Sequence, residues 1–578
     1  MYRSLVYLFV FILTNAARAT GDCPLLGPVY PAPKQLPSSI AFNAAKSNFS
    51  GMIDEAIRSA KGFERSAFEA DTTSFTLQLF SVKDSAPLFQ YYYTSPLTHK
   101  ATTGVRAVDE NTVFRIGSVT KLWTVFLCLI EKGNAPFHEP VSKYVPELRA
   151  AAEDLQRNAT GKDDHIDYMC WEEVTIGELA SQLSGIARQY AFGDLAFGAS
   201  KLVPVGFSQL PEEDIPPCGT PSQPCSKTQF FEGLLKRHPI VPSASTPIYS
   251  NAAFQLLAYA LEGMTGRSFQ DILQKDLIDI LGLSRSSHKK PADEHGIIPL
   301  NASTSLWSLD ISEEMPAGGL YSSIKDMVTL GRAILNSTLL PSSLTRQWLK
   351  PASHTSSLAY SVGAPWEIYS LTESRVIHLY TKSGQIGLYS SILALSPDHN
   401  VGYAILAAGP GATAVTTVVS DFIATTVVPA FEQAAKEEAQ HQFSGTYALS
   451  RGLNCSIAIT ADESPGLKVA QWINNSQNIL EAIKAAWGLT EAADISLRLY
   501  PTGLQTSGRI SFRAVIPSLH QGSSQGTGPF TRSCTTWMAV DGMVYGSVGV
   551  DEFVFDVDDK GKAVAVSPRA MRVSLPRV

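Results

Sequence analysis

The sequence predicts an α+β protein in which mixed helices lie on an antiparallel sheet, followed by a C-terminal β-rich domain. Helical patterns dominate residues 114–340, with a proline-rich loop interrupting them at 202–227. Three apolar segments then follow one another within 375–409, and their short connections favour an antiparallel arrangement. Near residue 440 the chain changes to short β-type segments separated by Gly, Ser and Asp. These observations together predict the two-part architecture.

The N-terminus predicts a signal peptide over residues 1–19. Arg3 precedes the apolar stretch Leu5–Leu13, and the small-x-small pattern Ala17–Ala19 is typical of a cleavage site. Nine apolar residues are too few to cross a bilayer, which requires about 20 residues in a helix. We therefore expect cleavage after Ala19 and a secreted, extracellular protein.

The most apolar later segment, residues 415–428, carries Asp421 and several hydroxyl groups, so we expect no membrane span after cleavage of the signal peptide. Of the 578 residues, 44% are hydrophobic and 17% are charged, which is typical of a globular protein. The net charge of −7 is spread along the chain without a dense basic cluster. This pattern argues against nucleic acid as a partner.

The seven cysteines predict disulfides, because none forms a C-x-x-C pair and the expected compartment is oxidising. Cys218 and Cys225 flank a short Pro/Gly-rich loop, and Cys455 and Cys534 are the two cysteines of the last part of the chain. We expect these two pairs to be bridged and Cys128 to be a free core thiol. N-glycosylation sequons fit export; they occur at Asn48, Asn158, Asn301, Asn336, Asn454 and Asn474.

Four regions follow from these patterns: 1–19 as the signal peptide, 20–44 as a Pro/Ser-rich N-terminal extension, 45–439 as the domain of helices and sheet and 440–578 as the β-rich domain. Within them we predict a helix at 52–64, paired strands at 74–82 and 88–94, and a helix at about 415–438. The predicted β segments of the last domain are FSGTYALS, ISLRLYP, ISFRAVIP, CTTWMAV and EFVFDV.

The stretch FRIGSVTKLWTVFLCLIEKG places Ser118 and Lys121 three residues apart at the start of an apolar helix. Residues at i and i+3 share one helix face, so the amine can reach the hydroxyl. The helix start also offers free N–H groups for a developing oxyanion. The competing interpretation is structural: Ser118 caps a core helix and Lys121 extends to solvent. The rest of the sequence decides between these two interpretations.

Two further motifs follow in sequence order. The three motifs Ser118-Val119-Thr120-Lys121, Tyr249-Ser250-Asn251 and Lys382-Ser383-Gly384 resemble those of the serine β-lactamase and penicillin-binding-protein superfamily. The similarity is to its branch of class C β-lactamases, related esterases, D-amino-acid peptidases and acyltransferases. Connecting segments such as PAGGLYSSIKDM also look like those of the family, and the resemblance covers about residues 45–435. It implies a β-lactamase/transpeptidase-like fold.

The resemblance also implies a role for each motif residue. Ser118 would attack a carbonyl while Lys121 and Tyr249 move protons, and either of the two can be the resting base. Asn251 would hold Lys121 and the substrate amide. Lys382, Ser383 and Gly384 would bind the polar end of the substrate, and the N–H groups of Ser118 and Gln385 would hold the oxyanion. The expected substrate is a small-molecule ester or amide that forms an acyl-enzyme.

Other features restrict or extend this prediction. The histidines lack metal-ligand spacing and the GPGATA turn does not match a dinucleotide fingerprint, so we expect neither a metal nor a cofactor. Gln385-Ile386 replaces smaller residues that are common in the family, and the 202–227 loop looks like an insertion near the cleft. The tail from 440 resembles the C-terminal domain of some fungal β-lactamase-like proteins. Two alternatives remain: an acyltransferase that tailors a small natural product, and a non-catalytic binding protein that retains the fold.

Overall fold

The computed structural model describes residues 23–60, 68–157, 164–372, 374–452, 454–486, 495–516, 530 and 533–578. The predicted signal peptide, residues 1–19, lies outside these residues. The chain divides into two compact units. The first, which we call the Ser118 unit, comprises residues 48–370 and 378–424. The second, which we call the C-terminal unit, comprises the described residues of 1–47, 371–377 and 425–578.

An eight-stranded sheet forms the framework of the Ser118 unit, with strand order β2-β1-β10-β9-β8-β7-β6-β5. Strands β3 and β4 form a separate two-stranded ladder. The strands are β1 Ser74–Ser81, β2 Phe89–Tyr93, β3 Val113–Arg115, β4 Tyr321–Ser323, β5 Ser353–His354, β6 Tyr360–Val362, β7 Glu367–Thr372, β8 Val376–Ile386, β9 Tyr389–Ser396 and β10 Val401–Ala408.

The predicted antiparallel strands are present in this sheet. Strand β9 pairs antiparallel with both β8 and β10, and β1 pairs antiparallel with β2 and β10. Every residue of β1, β9 and β10 is buried. The near-continuous apolar run of β10 is therefore explained by cover on both faces of this strand. The α+β fold class, with helices and antiparallel sheets, is confirmed.

Helices cover this sheet and carry part of the core. Trp123 and Leu122 on the helix Thr120–Lys132 are fully buried, as are Phe254 and Leu256 on Ala252–Thr265. Both faces of these helices are apolar, as expected of helices enclosed in a core. Helices of eight or more residues in the described chain are Ile40–Ala60, Thr120–Lys132, Pro146–Arg157, Lys227–Leu234, Ala252–Thr265, Ile324–Leu335, Ala412–Phe422, Val428–Phe443 and Ile479–Ala486.

The C-terminal unit is built on a nine-stranded sheet with the order β11-β12-β13-β15-β16-β19-β20-β21, in which β14 pairs with β13. Strands β17 and β18 pair separately. The strands are β11 Gly445–Ala448, β12 Ser456–Thr460, β13 Leu467–Asn474, β14 Gln477–Asn478, β15 Arg498–Thr506, β16 Arg509–Val515, β17 Val544–Tyr545, β18 Val548–Gly549, β19 Glu552–Val557, β20 Ala563–Pro568 and β21 Leu575–Pro576. The prediction of a β-rich C-terminal domain is confirmed.

One predicted strand of this unit is wrong. CTTWMAV contains a 3₁₀ helix at Thr536–Met538, and Trp537 is 69% exposed. The aromatic and β-branched residues of CTTWMAV favour a strand by composition. The Trp537 side chain is largely exposed, however, and so lacks the half-buried environment that this preference reflects.

The predicted pairing of Cys455 with Cys534 is also wrong. Cys534 is bridged to Cys23, with the two Cα atoms 5.5 Å apart and a sequence separation of 511. Cys455 is a buried free thiol beside Asn474. The prediction failed because it considered partners only within the last part of the chain. The Cys218–Cys225 bridge and the free buried thiol of Cys128 are confirmed.

The helical stretch Ala412–Phe443 is long and apolar enough to cross a membrane. In its most apolar 18-residue segment, 44% is buried inside the protein. A core helix of a globular protein meets the same criteria.

Candidate active site

Ser118 lies at the start of the helix that carries Lys121. Gly117–Val119 forms a 3₁₀ turn that leads directly into the helix Thr120–Lys132. The Ser118 side chain is partly exposed, whereas Lys121, one turn further on, is completely buried. A nucleophile must be reachable by substrate, and an amine kept from water is more easily neutral.

The hydroxyl of Ser118 lies between two groups that can take its proton. The phenol oxygen of Tyr249 is 2.6 Å from the Ser118 Oγ atom, and the Nζ atom of Lys121 is 3.0 Å from the same oxygen. Tyr249 comes from the loop before the helix Ala252–Thr265, 131 residues away in sequence. The structure therefore brings together the three side chains that sequence analysis assigned to catalysis.

Lys121 is held by two carbonyl oxygens besides Ser118. Its Nζ atom donates to Asn251 Oδ1 and to the backbone carbonyl of Ala317, each at 2.7 Å. A neutral amine has two N–H bonds, so with both carbonyls satisfied its lone pair points to Ser118 Oγ. This is the orientation required of a general base.

Burial lowers the pKa of Lys121 to about 8, with the Lys382 ammonium acting in the same direction and Tyr249 acting against it. For Tyr249, burial alone would raise the pKa of the phenol, but the Lys121 and Lys382 ammonium groups outweigh it and lower the pKa. Arg188 adds a further positive charge near the ring, with its Cζ atom 4.8 Å from the ring centroid. Both candidate bases are thus shifted towards their deprotonated forms.

Asn251 is fixed by a neighbour that sequence analysis did not identify. The Nδ2 atom of Asn251 donates to Gln189 Oε1 at 3.0 Å, while its backbone N–H donates to the carbonyl of Arg188 at 2.7 Å. The amide oxygen is therefore oriented towards Lys121. No local pattern identifies Gln189, since it lies 62 residues before Asn251.

The Lys-Ser-Gly residues lie on β8, as the resemblance implied, but two of them are bound to an acid that the sequence analysis missed. Lys382 Nζ donates to Glu367 on the neighbouring strand β7. Ser383 donates to the same carboxylate through its backbone N–H, at 2.8 Å, and through its hydroxyl, at 2.7 Å. Lys382 is buried and Ser383 is exposed.

Two glycines allow β8 to lie against the start of the Ser118 helix. A Cβ atom on Gly384 would lie 2.1 Å from the carbonyl oxygen of Ile116 and 2.8 Å from the backbone nitrogen of Ser118. A Cβ atom on Gly117, whose φ is +47°, would lie 2.6 Å from the backbone nitrogen of Gln385. The backbone nitrogens of Ser118 and Gln385 thus border the same narrow junction.

Glu314 and Thr413 are two further neighbours of the site that were not identified from sequence. Burial raises the pKa of Glu314 to about 7, although the Lys121 ammonium acts to lower it. Glu314 borders a cavity of about 30 Å³ whose other walls include Gln255 and four residues of the proline-rich loop, namely Gly219, Thr220, Pro224 and Cys225. The Gln385 side chain donates to Thr413. In the sequence, Glu314 follows the acidic residues Asp310 and Glu313. Nothing in this pattern distinguishes it from a solvated surface glutamate.

Solved structures with a similar fold include an octameric penicillin-binding protein homologue from Pyrococcus abyssi. It is 16% identical and has a TM-score of 0.47, and the match covers 90% of this chain and 97% of that one. A class C β-lactamase is 17% identical with a TM-score of 0.46, covering 67% of this chain and 98% of that one.

Curated relatives cover more of the sequence. A "Beta-lactamase-like protein" of Arthroderma benhamiae is 28% identical over 97% of this chain and 96% of its own length. The "Probable hydrolase M10" of a Phoma species is 24% identical over 90% of this chain and 86% of its own. The "Probable hydrolase clz13" of Cochliobolus lunatus is 25% identical over 73% of this chain and 70% of its own.

Two family models match the chain. Residues 435–578 match the family described as "Beta-lactamase-like-like, C-terminal domain". Residues 77–426, more than half of the chain, match the family described as "Beta-lactamase". This match includes Ser118, Tyr249 and Lys382 and agrees with the fold. The chain belongs to the β-lactamase family.

Proposed function

We propose that the protein is an exported serine hydrolase that cleaves a small ester or amide through an acyl-enzyme on Ser118. The observation that carries this proposal is the position of the Ser118 hydroxyl, 2.6 Å from the phenol oxygen of Tyr249 and 3.0 Å from the amine of Lys121. A serine hydroxyl becomes a useful nucleophile when a neighbouring base removes its proton. The names of two relatives, "Probable hydrolase M10" and "Probable hydrolase clz13", also favour hydrolysis.

In the proposed acylation step, Ser118 Oγ forms a bond to the carbonyl carbon of the substrate and passes its proton to Lys121 or Tyr249. The oxyanion accepts hydrogen bonds from the backbone N–H groups of Ser118 and Gln385. The C–O or C–N bond of the substrate then breaks, and the leaving alcohol or amine takes up that proton. Water attacks the acyl-enzyme by the same route and releases the acid.

Export is part of the proposal. The predicted signal peptide at 1–19 motivates it, and the Cys218–Cys225 and Cys23–Cys534 bridges are compatible with an oxidising compartment. Expression in a eukaryotic host should give protein in the medium whose N-terminus is Thr20. Full-length protein retained in the cell would contradict export without affecting the hydrolase proposal.

The test of the hydrolase proposal is covalent labelling of Ser118. A fluorophosphonate should transfer its phosphonyl group to Ser118 with loss of fluoride, and a chromogenic ester should transfer its acyl group with loss of the chromophore; the peptide that contains Ser118 gains the corresponding mass, and Ser118→Ala should abolish the label. Ser47→Ala, which changes an exposed serine on the helix Ile40–Ala60, is the matched control and should label normally. Label on a different serine would contradict the assignment. Absence of label and turnover with a broad ester and amide panel would favour a binding protein.

The acceptor of the acyl group is tested in the same assay. A hydrolase loses its acyl group to water, so the acid should remain the main product when an alcohol is added. An acyltransferase would instead direct most of the acyl-enzyme to the alcohol. Product analysis with and without a panel of alcohols separates these two activities, because the same nucleophile and base serve both.

A further inference from the structure

The C-terminal unit contains a cavity that the proposed hydrolase function does not use. Its volume is about 410 Å³, and small-molecule sites usually have volumes of about 300–1,000 Å³. Apolar side chains on or next to strands β13, β15 and β16, and on the helix Ile479–Ala486, form one side of it. They are Trp472, Ile483, Leu497, Ala514, Val515 and Ile516. The cavity therefore has the size and the apolar wall of a ligand site.

The other side of the cavity is formed by part of the segment 535–551. Met538, Ala539 and Met543 of this segment line the cavity, and both methionine side chains are also exposed to solvent. Methionine has three rotatable bonds and adapts to irregular shapes, so this wall can fit closely around an apolar ligand.

Polar contacts and a disulfide hold this segment on the sheet. Arg513 on β16 donates through Nη1 to Asp541 Oδ1 at 3.1 Å and to Asp551 Oδ1 at 2.7 Å. The other carboxylate oxygen of Asp551 accepts from the backbone N–H of Asp541 at 2.8 Å. Cys534, which directly precedes the segment, is bridged to Cys23. Both sides of the cavity are therefore held in place.

The indole N–H of Trp472 has no acceptor among the residues that the structure describes. Trp472 is 1% exposed, its Nε1 atom is buried, and its ring packs edge-on against Phe553 with the centroids 5.2 Å apart. Buried indole N–H groups usually have a partner, because an unpaired buried donor is costly. A carbonyl oxygen on a ligand in the cavity would supply the missing acceptor.

The charges around the cavity favour a neutral ligand. Within the described part of the cavity wall, Asp551 is the only ionisable side chain, and its carboxylate already binds Arg513 and the N–H of Asp541. A carboxylate on the ligand would lose its hydration without gaining a cationic partner from these residues.

We propose that this cavity binds a neutral, largely apolar small molecule whose carbonyl oxygen accepts a hydrogen bond from the indole N–H of Trp472. The inference goes beyond the proposed hydrolase function and does not rest on it, because the described residues that line the cavity all belong to the C-terminal unit. It gives this unit a ligand-binding role in which Trp472 orients the ligand.

The neutral naphthyl ketone prodan tests the site on the full-length protein. Its emission moves to shorter wavelengths in apolar surroundings, and an enzyme that hydrolyses esters and amides does not cleave a ketone. Titration with the protein should give a saturable shift with a dissociation constant of about 200 μM or tighter. Absence of a saturable shift would overturn the inference.

A variant that fills the cavity shows where prodan binds. Ala514→Leu adds three carbon atoms to the cavity wall and should weaken prodan binding about tenfold or more. Ala565→Leu is the matched control, because Ala565 is a half-buried alanine on β20 that is not among the described residues lining the cavity. It should bind prodan as the wild type does. Unchanged binding in Ala514→Leu would place the probe elsewhere and overturn the inference.

Two competitors of nearly equal shape test the hydrogen bond. Methyl naphthyl ketone and ethylnaphthalene, substituted at the same ring position, differ in that only the ketone can accept from Trp472. Trp472→Phe retains an aromatic ring and loses the N–H. The ratio of the two affinities, measured by prodan displacement, should therefore shift about fivefold towards ethylnaphthalene in this variant. A ratio unchanged by Trp472→Phe would overturn the inference.

The charge of the ligand is tested on the wild type alone. Naphthoate matches the methyl ketone in size and should displace prodan about tenfold or more weakly, because its carboxylate would be buried without a cationic partner. Equal or stronger displacement by naphthoate would overturn the inference. This comparison keeps the test decisive if circular dichroism shows that Trp472→Phe or Ala514→Leu does not fold.

Discussion

The phenol oxygen of Tyr249 lies 2.6 Å from the hydroxyl oxygen of Ser118. This contact joins a tyrosine in a loop to a serine at the start of a helix. Lys121 Nζ approaches the same Ser118 oxygen at 3.0 Å, so the nucleophile has two proton acceptors with linked charges. Removing either one should therefore change both the rate of acylation and its pH dependence.

Lys121→Ala should slow the labelling of Ser118 by about 10²–10⁴-fold, because this is the usual contribution of general acid–base assistance. Single-turnover labelling with a fluorophosphonate measures the effect directly. Labelling at the wild-type rate would show that Lys121 does not act in acylation.

Tyr249→Phe retains the ring and removes the hydroxyl, so it should reduce ester turnover with little change in the melting temperature. Tyr93→Phe is a suitable control, since it removes a part-buried tyrosine hydroxyl that donates to the carbonyl of Ala70 at 2.8 Å, away from Ser118 in sequence and contacts. The control should retain full turnover. Equal losses in both variants would indicate a general structural effect.

The pH dependence of acylation should follow the lowered pKa of Lys121. Burial lowers this pKa to about 8, and a base acts only when deprotonated, so kcat/KM should rise with pH up to about 8 and then level off. Tyr249 acts to raise the pKa of Lys121. The rising limb should therefore move to lower pH in Tyr249→Phe. A limb that stays in place or moves upwards would contradict the coupling of the two groups.

The parts of the site that could be predicted from sequence depend on short-range geometry. Ser118 and Lys121 lie one helical turn apart, and Lys382 and Ser383 belong to an apolar strand bounded by turn residues. Their elements follow from local periodicity. Tyr249 required the resemblance to a family, because only the tertiary fold brings it to Ser118.

The parts that could not be predicted depend on lateral pairing and burial. Glu367 reaches Lys382 because β7 and β8 are neighbours in the sheet, and an isolated acid at the start of a strand gives no sign of this. The raised pKa of Glu314 arises from burial, which sequence periodicity does not reveal for a single residue of a short 3₁₀ helix. Cys23 and Cys534 meet across 511 residues, beyond any local pattern.

The Cys23–Cys534 bridge should stabilise the C-terminal unit, because a cross-link over a long loop restricts the unfolded chain. The double variant Cys23→Ser/Cys534→Ser should lower the free energy of unfolding by about 2–4 kcal/mol, measured by urea titration. Cys170→Ser replaces a free, partly buried thiol and is the control. Peptide mapping of unreduced protein that joins Cys455 to Cys534 would contradict the observed pairing.

Gly384→Ala should lower kcat by disturbing the junction between β8 and the start of the Ser118 helix. The added Cβ atom would lie 2.1 Å from the Ile116 carbonyl oxygen and 2.8 Å from the Ser118 nitrogen, so backbone must move. Loss of one oxyanion donor lowers kcat by about 10²–10³-fold, and we expect KM to change less than kcat. Gly198→Ala, where a Cβ atom meets nothing within 4 Å, is the matched control and should be as active as the wild type. Full activity in Gly384→Ala would mean that the Ser118 and Gln385 N–H groups do not hold the oxyanion in this arrangement.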